Sequence, residues 1–142
     1  MKKQKSVGRL VSCIHRNIHS YLHHYLEQYE LGSGQLHFLM ILYKKDGINQ
    51  ETLAEIINID KATCARAIKK LIDNGFVTRQ KDPSDKRSYQ LHLTKKAIEL
   101  KPILQSILKN LTKQLLNGFS KEEEQQFFYY LERISKNAIQ LT

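Results

Sequence analysis

The sequence contains no tryptophan and only two cysteines among 142 residues. Cys13 and Cys64 fall in different predicted helices and cannot form the disulfide framework of a small secreted domain, so we expect reduced thiols. No apolar run reaches the ~18 residues that a membrane span needs. Lys2, Lys3 and Lys5 are followed by no apolar signal-peptide core. We therefore expect a cytoplasmic protein with no membrane partner.

Motifs of enzymes are missing as well. The chain has no Gly-rich phosphate loop, no nucleophile elbow and no paired-carboxylate motif. We predict that the protein is not an enzyme and that it uses no cofactor and no catalytic residue. Its length predicts a single domain, or one domain with dimerisation arms.

Acidic residues are scarce relative to basic ones, since 23 Lys and Arg stand against 14 Asp and Glu, for a net charge of +9. The excess is concentrated between Lys61 and Lys96, where ten basic residues stand against three aspartates. A basic surface of this density attracts polyanions, of which nucleic acid is the commonest inside a cell. An anionic membrane surface is the alternative, but this segment is not one continuous amphipathic basic helix.

Apolar periodicity predicts long helices at both ends of the chain. From Val7 to Tyr29, apolar residues recur every three or four positions and form one wide face. Thr94 is predicted to cap a later helix that Pro102 kinks, with an apolar stripe that continues to Gly118. Ser120 begins a capping box before the last helix. These faces exceed what one small domain covers, so we expect a second subunit to cover them.

The middle of the chain predicts a helix-turn-helix followed by a hairpin. Ser33, Asn49 and Asp60 are predicted N-caps of three successive helices. In the third helix an inward stripe is predicted at Cys64, Ile68, Leu71 and Gly75, with Gly75 also ending the helix. Two β-prone runs joined by the turn at residues 82–87 then predict the hairpin. A short basic helix followed by a basic-tipped hairpin is typical of a winged helix-turn-helix.

These residues resemble the multiple antibiotic resistance regulator (MarR) family of transcription factors. The shared motif is Leu-x-x-x-Gly and two hydrophobic residues, then an Arg, then Asp-Pro-x-Asp-x-Arg-Ser, then Leu-Thr; here it occupies Leu71–Val77, Arg79, Asp82–Ser88 and Leu93–Thr94. Ala97, where the family commonly has Gly, and Ala62, where it often has Pro, are mild departures.

The resemblance implies a mostly α fold with a small β-hairpin wing, and a homodimer held by N- and C-terminal helices. The expected parts are a dimerisation helix at residues 1–30, a DNA-binding lobe at 31–94 and dimerisation helices at 95–142. It also implies a transcriptional regulator that binds double-stranded DNA at a pseudo-palindromic operator. We expect a repressor that leaves the operator when a small aromatic or phenolic effector binds. The alternatives are a redox- or metal-responsive regulator of the same fold, and a winged-helix interaction module without sequence-specific DNA binding.

Candidate DNA contacts lie on the outer face of the third helix and at the wing tip. Arg66 and Thr63 are placed to read bases, since Arg pairs with guanine and a Thr methyl contacts thymine. By resemblance, Arg87 enters the minor groove and Asp85 orients it, although Asp85 is also a natural turn residue. The full predicted set is Lys61, Ala62, Thr63, Ala65, Arg66, Lys69, Lys70, Lys86 and Arg87.

Several residues have both a regulatory and a purely structural interpretation. By resemblance, an effector pocket is expected among Tyr21, Tyr25, Tyr29, His37 and Met40, although such aromatic stripes are more often core. Cys13 could sense oxidants, but a buried inert thiol is the commoner role for a cysteine beside apolar positions, and Cys64 is expected in the core. His15, His19 and His23 follow one another at helical spacing, but no second group of ligands accompanies them, so no metal site is predicted.

Overall fold

The computed structural model describes residues 4–141; residues 1–3 and 142, among them the Lys2 and Lys3 of the sequence analysis, lie outside that range. The chain forms the predicted mostly helical fold with one antiparallel hairpin. Its elements are α1 (Val7–Leu26), a 3-10 turn (Glu27–Tyr29), α2 (Ser33–Lys44), α3 (Gln50–Ile57), α4 (Lys61–Asp73), β1 (Val77–Asp82), β2 (Asp85–Leu93), α5 (Lys95–Leu115) and α6 (Lys121–Ile139). The chain divides into two compact units, Met1–Ile107 and Leu108–Thr142.

The first unit begins with α1, whose N-cap Ser6 accepts a hydrogen bond from the backbone N–H of Arg9. The prediction of a helix over Val7–Tyr29 is confirmed, with the last three residues wound as a 3-10 turn. Only Leu22 and Leu26, near the end of α1, are buried. The apolar residues of its first turns are exposed, so this part of the predicted stripe is not covered within the described chain.

The predicted N-cap of α2 is wrong. Gly32 occupies the cap position and Ser33 is the first residue of the helix. The Ser33 side chain is buried, and its Oγ lies 2.8 Å from Nδ1 of His19 in α1. The hydroxyl therefore contacts the neighbouring helix instead of the free N–H groups of its own first turn.

The caps predicted for α3 and α4 are confirmed. Asn49 Oδ1 accepts hydrogen bonds from the backbone N–H groups of Glu51 and Thr52 at the start of α3. Asp60 accepts a hydrogen bond from the backbone N–H of Thr63 at the start of α4. Such bonds satisfy N–H groups that have no partner within their helix.

The inward face of α4 differs from the prediction at one position. Cys64, Ile68 and Leu71 are buried as expected, and Ala67 is buried with them, but Gly75 is exposed. Gly75 does end the helix as predicted, with a left-handed φ of +81° that an L side chain would strain. Gly75 follows the last turn of α4, where the chain has already changed direction. The helical periodicity therefore no longer determines which way this residue faces.

The hairpin pairs β1 with β2 from Val77 opposite Leu93 to Asp82 opposite Asp85. A short segment between α2 and α3, Gly47–Asn49, lies along the other edge of β2. The N–H of Gly47 donates to the Leu91 carbonyl at 2.8 Å, and the N–H of Leu91 donates to the Ile48 carbonyl at 2.9 Å. We call this segment the connector. Its pairing with the wing was not predicted from the sequence.

The helix α5 begins at the predicted cap, where Thr94 Oγ1 accepts a hydrogen bond from the backbone N–H of Ala97 at 3.2 Å. It continues through Pro102 without a break, and the kink expected at Pro102 stays a prediction. Tyr43 of α2 donates its hydroxyl to the Ala97 carbonyl at 2.5 Å. Burial raises the pKa of Tyr43 to about 12, so this hydroxyl stays protonated and keeps donating at physiological pH.

The second unit contains the end of α5 and the whole of α6. The capping box at Ser120 and Glu123 is confirmed, and the hydrogen bond from the Ser120 N–H lowers the pKa of the Glu123 carboxyl. Apolar side chains of α6 are exposed, including Phe127, Phe128, Tyr129, Tyr130, Leu131, Ile134 and Ile139. Across residues 4–141, no helix combines the length and apolarity that a membrane crossing requires.

Candidate nucleic-acid interface

The start of α4 carries a chain of polar contacts that leads to Arg66. Thr63 Oγ1 donates to Asp60 Oδ2 at 2.9 Å, and the Arg66 guanidinium donates to Thr63 Oγ1 at 3.1 Å. The hydrogen bond from the Thr63 backbone N–H is the largest cause of a lowered pKa at Asp60. Arg66 itself is exposed. The cap of the helix thus also supports the side chain that is best suited to reading a base.

The predicted outward face of α4 is present. Lys61, Ala62, Arg66, Lys69 and Lys70 are exposed, and Thr63 and Ala65 are half-buried beside them. The opposite face is buried against the rest of the first unit. A helix with one buried apolar face and one exposed basic face can lie in a DNA groove without losing its packing.

Two of the lysines on this face form exposed ion pairs. Lys61 Nζ lies 3.5 Å from Glu51, and Lys69 Nζ lies 3.3 Å from Asp73. Lys70 has no ion-pair partner among residues 4–141. Exposed pairs of this kind contribute little free energy, so Lys61 and Lys69 can exchange their carboxylates for phosphates at small cost.

The wing turn is built by its aspartates. Asp82 Oδ1 accepts hydrogen bonds from Ser84 N and Oγ, which lower the pKa of Asp82. Asp85 Oδ1 accepts a hydrogen bond from the backbone N–H of Arg87 at 3.0 Å. The turn role considered for Asp85 is therefore present, and it fixes the backbone from which the exposed Arg87 side chain projects. Lys86 is exposed next to Arg87.

A further cation near α4, at the base of the wing, was not among the predicted DNA contacts. The Arg79 guanidinium lies 4.6 Å from the centre of the Tyr89 ring across the hairpin. With Ala65, Arg66 and Lys69 it lines an open depression of about 370 Å³ beside α4. In the register of the hairpin Arg79 pairs with Leu91 and lies diagonal to Tyr89. The sequence motif alone did not provide this register.

The end of α4 is held from two directions. The Asn74 side-chain amide donates to the Glu30 carbonyl at 2.8 Å, which connects α4 to the end of the 3-10 turn. Lys96 Nζ donates to the Asn74 carbonyl at 2.7 Å and lies 4.6 Å from the centre of the Phe76 ring. A cation at the carboxyl end of a helix interacts favourably with the helix dipole.

Comparisons with known proteins agree with this geometry. The model of the MarR family matches residues 31–89. A curated relative from Bacillus subtilis, the uncharacterized HTH-type transcriptional regulator YybA, is 38% identical over 108 residues, which cover 76% of this chain and 72% of the relative.

The chain belongs to the MarR family.

Solved structures of MarR family proteins have the same fold. A MarR transcriptional regulator from Methanosarcina mazei is 39% identical with a TM-score of 0.89, over 96% of this chain and 98% of that one. A MarR family regulator from Listeria monocytogenes, solved with a 26mer DNA, is 27% identical with a TM-score of 0.88, over 96% of this chain and 91% of that one. The protein is thus a DNA-binding transcriptional regulator of this family.

The residues predicted to form an effector pocket are distributed over α1, the 3-10 turn and α2 of this MarR family protein. Tyr29 lines a groove of about 380 Å³ with Phe76, Lys96 and Leu100 among its other residues. Tyr21 and Tyr25 contact each other on α1, with ring centres 4.6 Å apart, and burial is the main cause of a raised pKa at Tyr21. On α2, His37 is exposed and Met40 is half-buried. A ligand role for these five residues stays a prediction.

The two cysteines differ in their surroundings. Cys64 is buried as expected, and burial raises the pKa of its thiol. Cys13 was expected to be buried and is exposed, because the first turns of α1 have no covering element among the described residues. The Asn17 side-chain amide donates to the Cys13 sulfur at 3.6 Å.

The histidine row does not converge with other ligands. His15, His19 and His23 are exposed on α1, and His19 contacts Ser33. Within residues 4–141, no group of three or more His, Cys, Asp or Glu side chains could hold a metal ion.

The N-cap of α4 generates a prediction about pH. The lowered pKa of Asp60 means that its charged form stabilises the fold above the ordinary value of 3.8, and that this contribution is lost as the pH falls through the lower folded pKa. Asp60→Asn keeps an acceptor oxygen but does not titrate. The free energy of unfolding of this variant, measured in urea, should be lower than that of the wild type at neutral pH. The difference between the two free energies should shrink in acid. A difference that is constant from pH 6 to about pH 3 would contradict the assignment.

Proposed function

We propose that this protein is a homodimeric repressor that binds a pseudo-palindromic operator through α4 and the wing. The observation that carries the proposal is the exposed basic surface formed by α4, Arg79 and the wing tip. The opposite face of α4 is buried in the first unit. The structure of the Listeria relative was solved with DNA, which supports DNA binding by this chain as well.

In this proposal Arg66 reads bases in the major groove. Its support by Thr63 and Asp60 lowers the number of conformations that the guanidinium samples, so less freedom is lost on binding. Ala62 and Ala65 are small enough to let the helix approach the base edges, and Thr63 offers a methyl group to thymine. Lys61, Lys69 and Lys70 neutralise phosphates, which supplies affinity without sequence information.

Arg87 serves as the minor-groove residue of the proposal, with Lys86 contacting the adjacent backbone. The Asp85 side chain supports this role by holding the Arg87 backbone N–H in the wing turn. A narrow A·T-rich minor groove has a strong negative potential, which favours an inserted arginine.

Self-association is proposed through the terminal helices. Val7 and Leu10 of α1 are each 59% exposed, and the aromatic residues of α6 are exposed in the second unit. Apolar surface of this extent is unusual on a monomer and marks a site of association. A two-fold dimer presents α4 twice, which matches the two half-sites of a palindromic operator.

Release of the operator by an aromatic or phenolic effector completes the proposal. The groove that includes Tyr29 also contains Phe76 and Lys96, which contact the end of α4. A ligand bound there would act on the residues that hold α4, and it could therefore change the position of the helix relative to DNA.

Arg66 and Lys70 should differ in the kind of binding they supply. Arg66→Ala should lose discrimination between the operator and random DNA by about 1–3 kcal/mol, the value of a bidentate base contact. Lys70→Ala should weaken both complexes similarly and lower the salt slope by about one, as expected for one phosphate. Fluorescence anisotropy at several salt concentrations measures both effects. Equal losses on operator and random duplexes for Arg66→Ala would refute its base-reading role.

Arg87→Ala should lower affinity more for an operator with A·T-rich flanks than for one with G·C-rich flanks. Asp85→Ala should show a weaker form of the same defect, even though removal of an acid should otherwise favour binding to a polyanion. Both variants are measured on two duplexes that share one core and differ in flanks, at one salt concentration. An unchanged flank preference in Arg87→Ala would exclude the minor-groove contact.

The full chain should sediment as a dimer at micromolar concentration, whereas a chain lacking about the first thirty residues should dissociate. The physical reason is the loss of the exposed apolar residues of α1, which a partner would cover. Analytical ultracentrifugation of both chains makes the comparison. A monomeric full chain would rule out self-association through these helices.

A further inference from the structure

The Asn49 side chain has two partners in different parts of the first unit. Its Oδ1 accepts the N–H groups of Glu51 at 2.8 Å and Thr52 at 3.4 Å, as the cap of α3. Its Nδ2 donates to Oγ of Ser88 on β2, which we call the inner strand of the wing because it lies between β1 and the connector. Ser88 is 7% exposed and directly follows the wing arginine, Arg87. One planar amide therefore connects the helix-turn-helix to the strand that carries Arg87.

We propose that Asn49 is a positioning residue for DNA recognition, because it sets the place of Arg87 relative to α4. This inference rests on the proposed minor-groove contact of Arg87. The Arg87 backbone is fixed on both sides: Asp85 accepts its N–H, and Asn49 holds the side chain of the next residue. Loss of the Asn49 contact would leave Arg87 attached to a turn that no longer has a fixed position over the groove.

The other contacts that the connector and the preceding residue, Asp46, make with the wing lie nearer the wing base. Asp46 Oδ1 accepts the N–H of Leu93 at 2.9 Å, and the backbone bonds of Gly47 and Ile48 both reach Leu91. Among the described residues, the Asn49–Ser88 bond is the side-chain contact of the connector that lies closest to the tip of β2. The base of the wing would therefore stay paired without it, while the segment that carries Arg87 would move more freely.

The residue type is informative. Serine, threonine, aspartate and asparagine all cap helices, but asparagine alone combines a carbonyl acceptor with an N–H donor on one short side chain. Asn49 needs both, since the carbonyl is occupied by α3 and the amide by Ser88. Aspartate could keep the contact in reverse, because the Ser88 hydroxyl can donate to its second oxygen. Serine could cap α3 but is too short to reach Ser88 as well.

The test uses the full-length chain and two operator duplexes with one core and either A·T-rich or G·C-rich flanks, at one fixed salt concentration. Asn49→Ser should reduce the preference for A·T-rich flanks by about two- to tenfold, the range expected for one net hydrogen bond. Preference for the core over a random core should be retained. Asn49→Asp should keep the flank preference, although its added charge should weaken both complexes.

A double-mutant cycle separates positioning from general damage. In Asn49→Ser, the further change Arg87→Ala should have a reduced effect on flank preference, because Asn49 acts through Arg87. Ser88→Ala removes the same hydrogen bond while leaving the cap of α3, so it should reproduce the defect if Asn49→Ser folds poorly. Ser120→Ala removes a helix cap in the second unit and serves as the matched control with unchanged flank preference.

The possible failures are distinguishable. If Arg87→Ala itself leaves the flank preference unchanged, the proposed wing contact is wrong. If Arg87→Ala reduces it while Asn49→Ser and Ser88→Ala do not, the positioning role of Asn49 is overturned. Effects of Asn49→Ser and Arg87→Ala that multiply independently would also overturn it.

Discussion

Pairing between the connector and the inner strand of the wing determines how the proposed DNA-binding surface is arranged. Backbone hydrogen bonds join Gly47 and Ile48 to Leu91, and the side chains of Asp46 and Asn49 extend the contact in both directions along β2. A two-stranded hairpin alone is marginally stable in water. The connector supplies its inner strand with a second neighbour, so the wing keeps a defined position beside α3 and α4.

Polar contacts at both ends of α4 hold this helix in a defined position, as the connector does for the wing. Asp60 and Thr63 satisfy its first turn and support Arg66, while Asn74 and Lys96 hold its end against the 3-10 turn and α5. Between these ends the buried face of the helix packs in the core of the first unit. The exposed face is therefore free to carry positive charge without a cost in folding. This separation of packing and charge allows one short helix to serve both stability and the proposed DNA recognition.

Local signals in the sequence predicted the elements and much of the candidate site. The caps Asn49 and Asp60, and the exposure of Arg66, follow from residue types at helical spacing, which is information within one or two turns. The actual contact of Ser33 and the bond between Asn49 and Ser88 were not predictable in this way. Both join residues far apart in the chain, 14 and 39 positions, and depend on how helices and strands pack. The exposure of Cys13 was missed for the related reason that burial depends on which element covers a helix.

The central claim is that α4 and the wing form one DNA-reading surface that contacts both grooves. Dimethyl sulfate tests it directly, because it methylates guanine N7 in the major groove and adenine N3 in the minor groove. The DNA is a sequence selected by the protein from a random pool, and binding is measured after partial methylation. Interference is predicted at guanine N7 in the core and at adenine N3 in the flanks, and the flank signal should disappear in Arg87→Ala. Interference confined to the core, with flanks that tolerate methylation in the wild type, would contradict the claim.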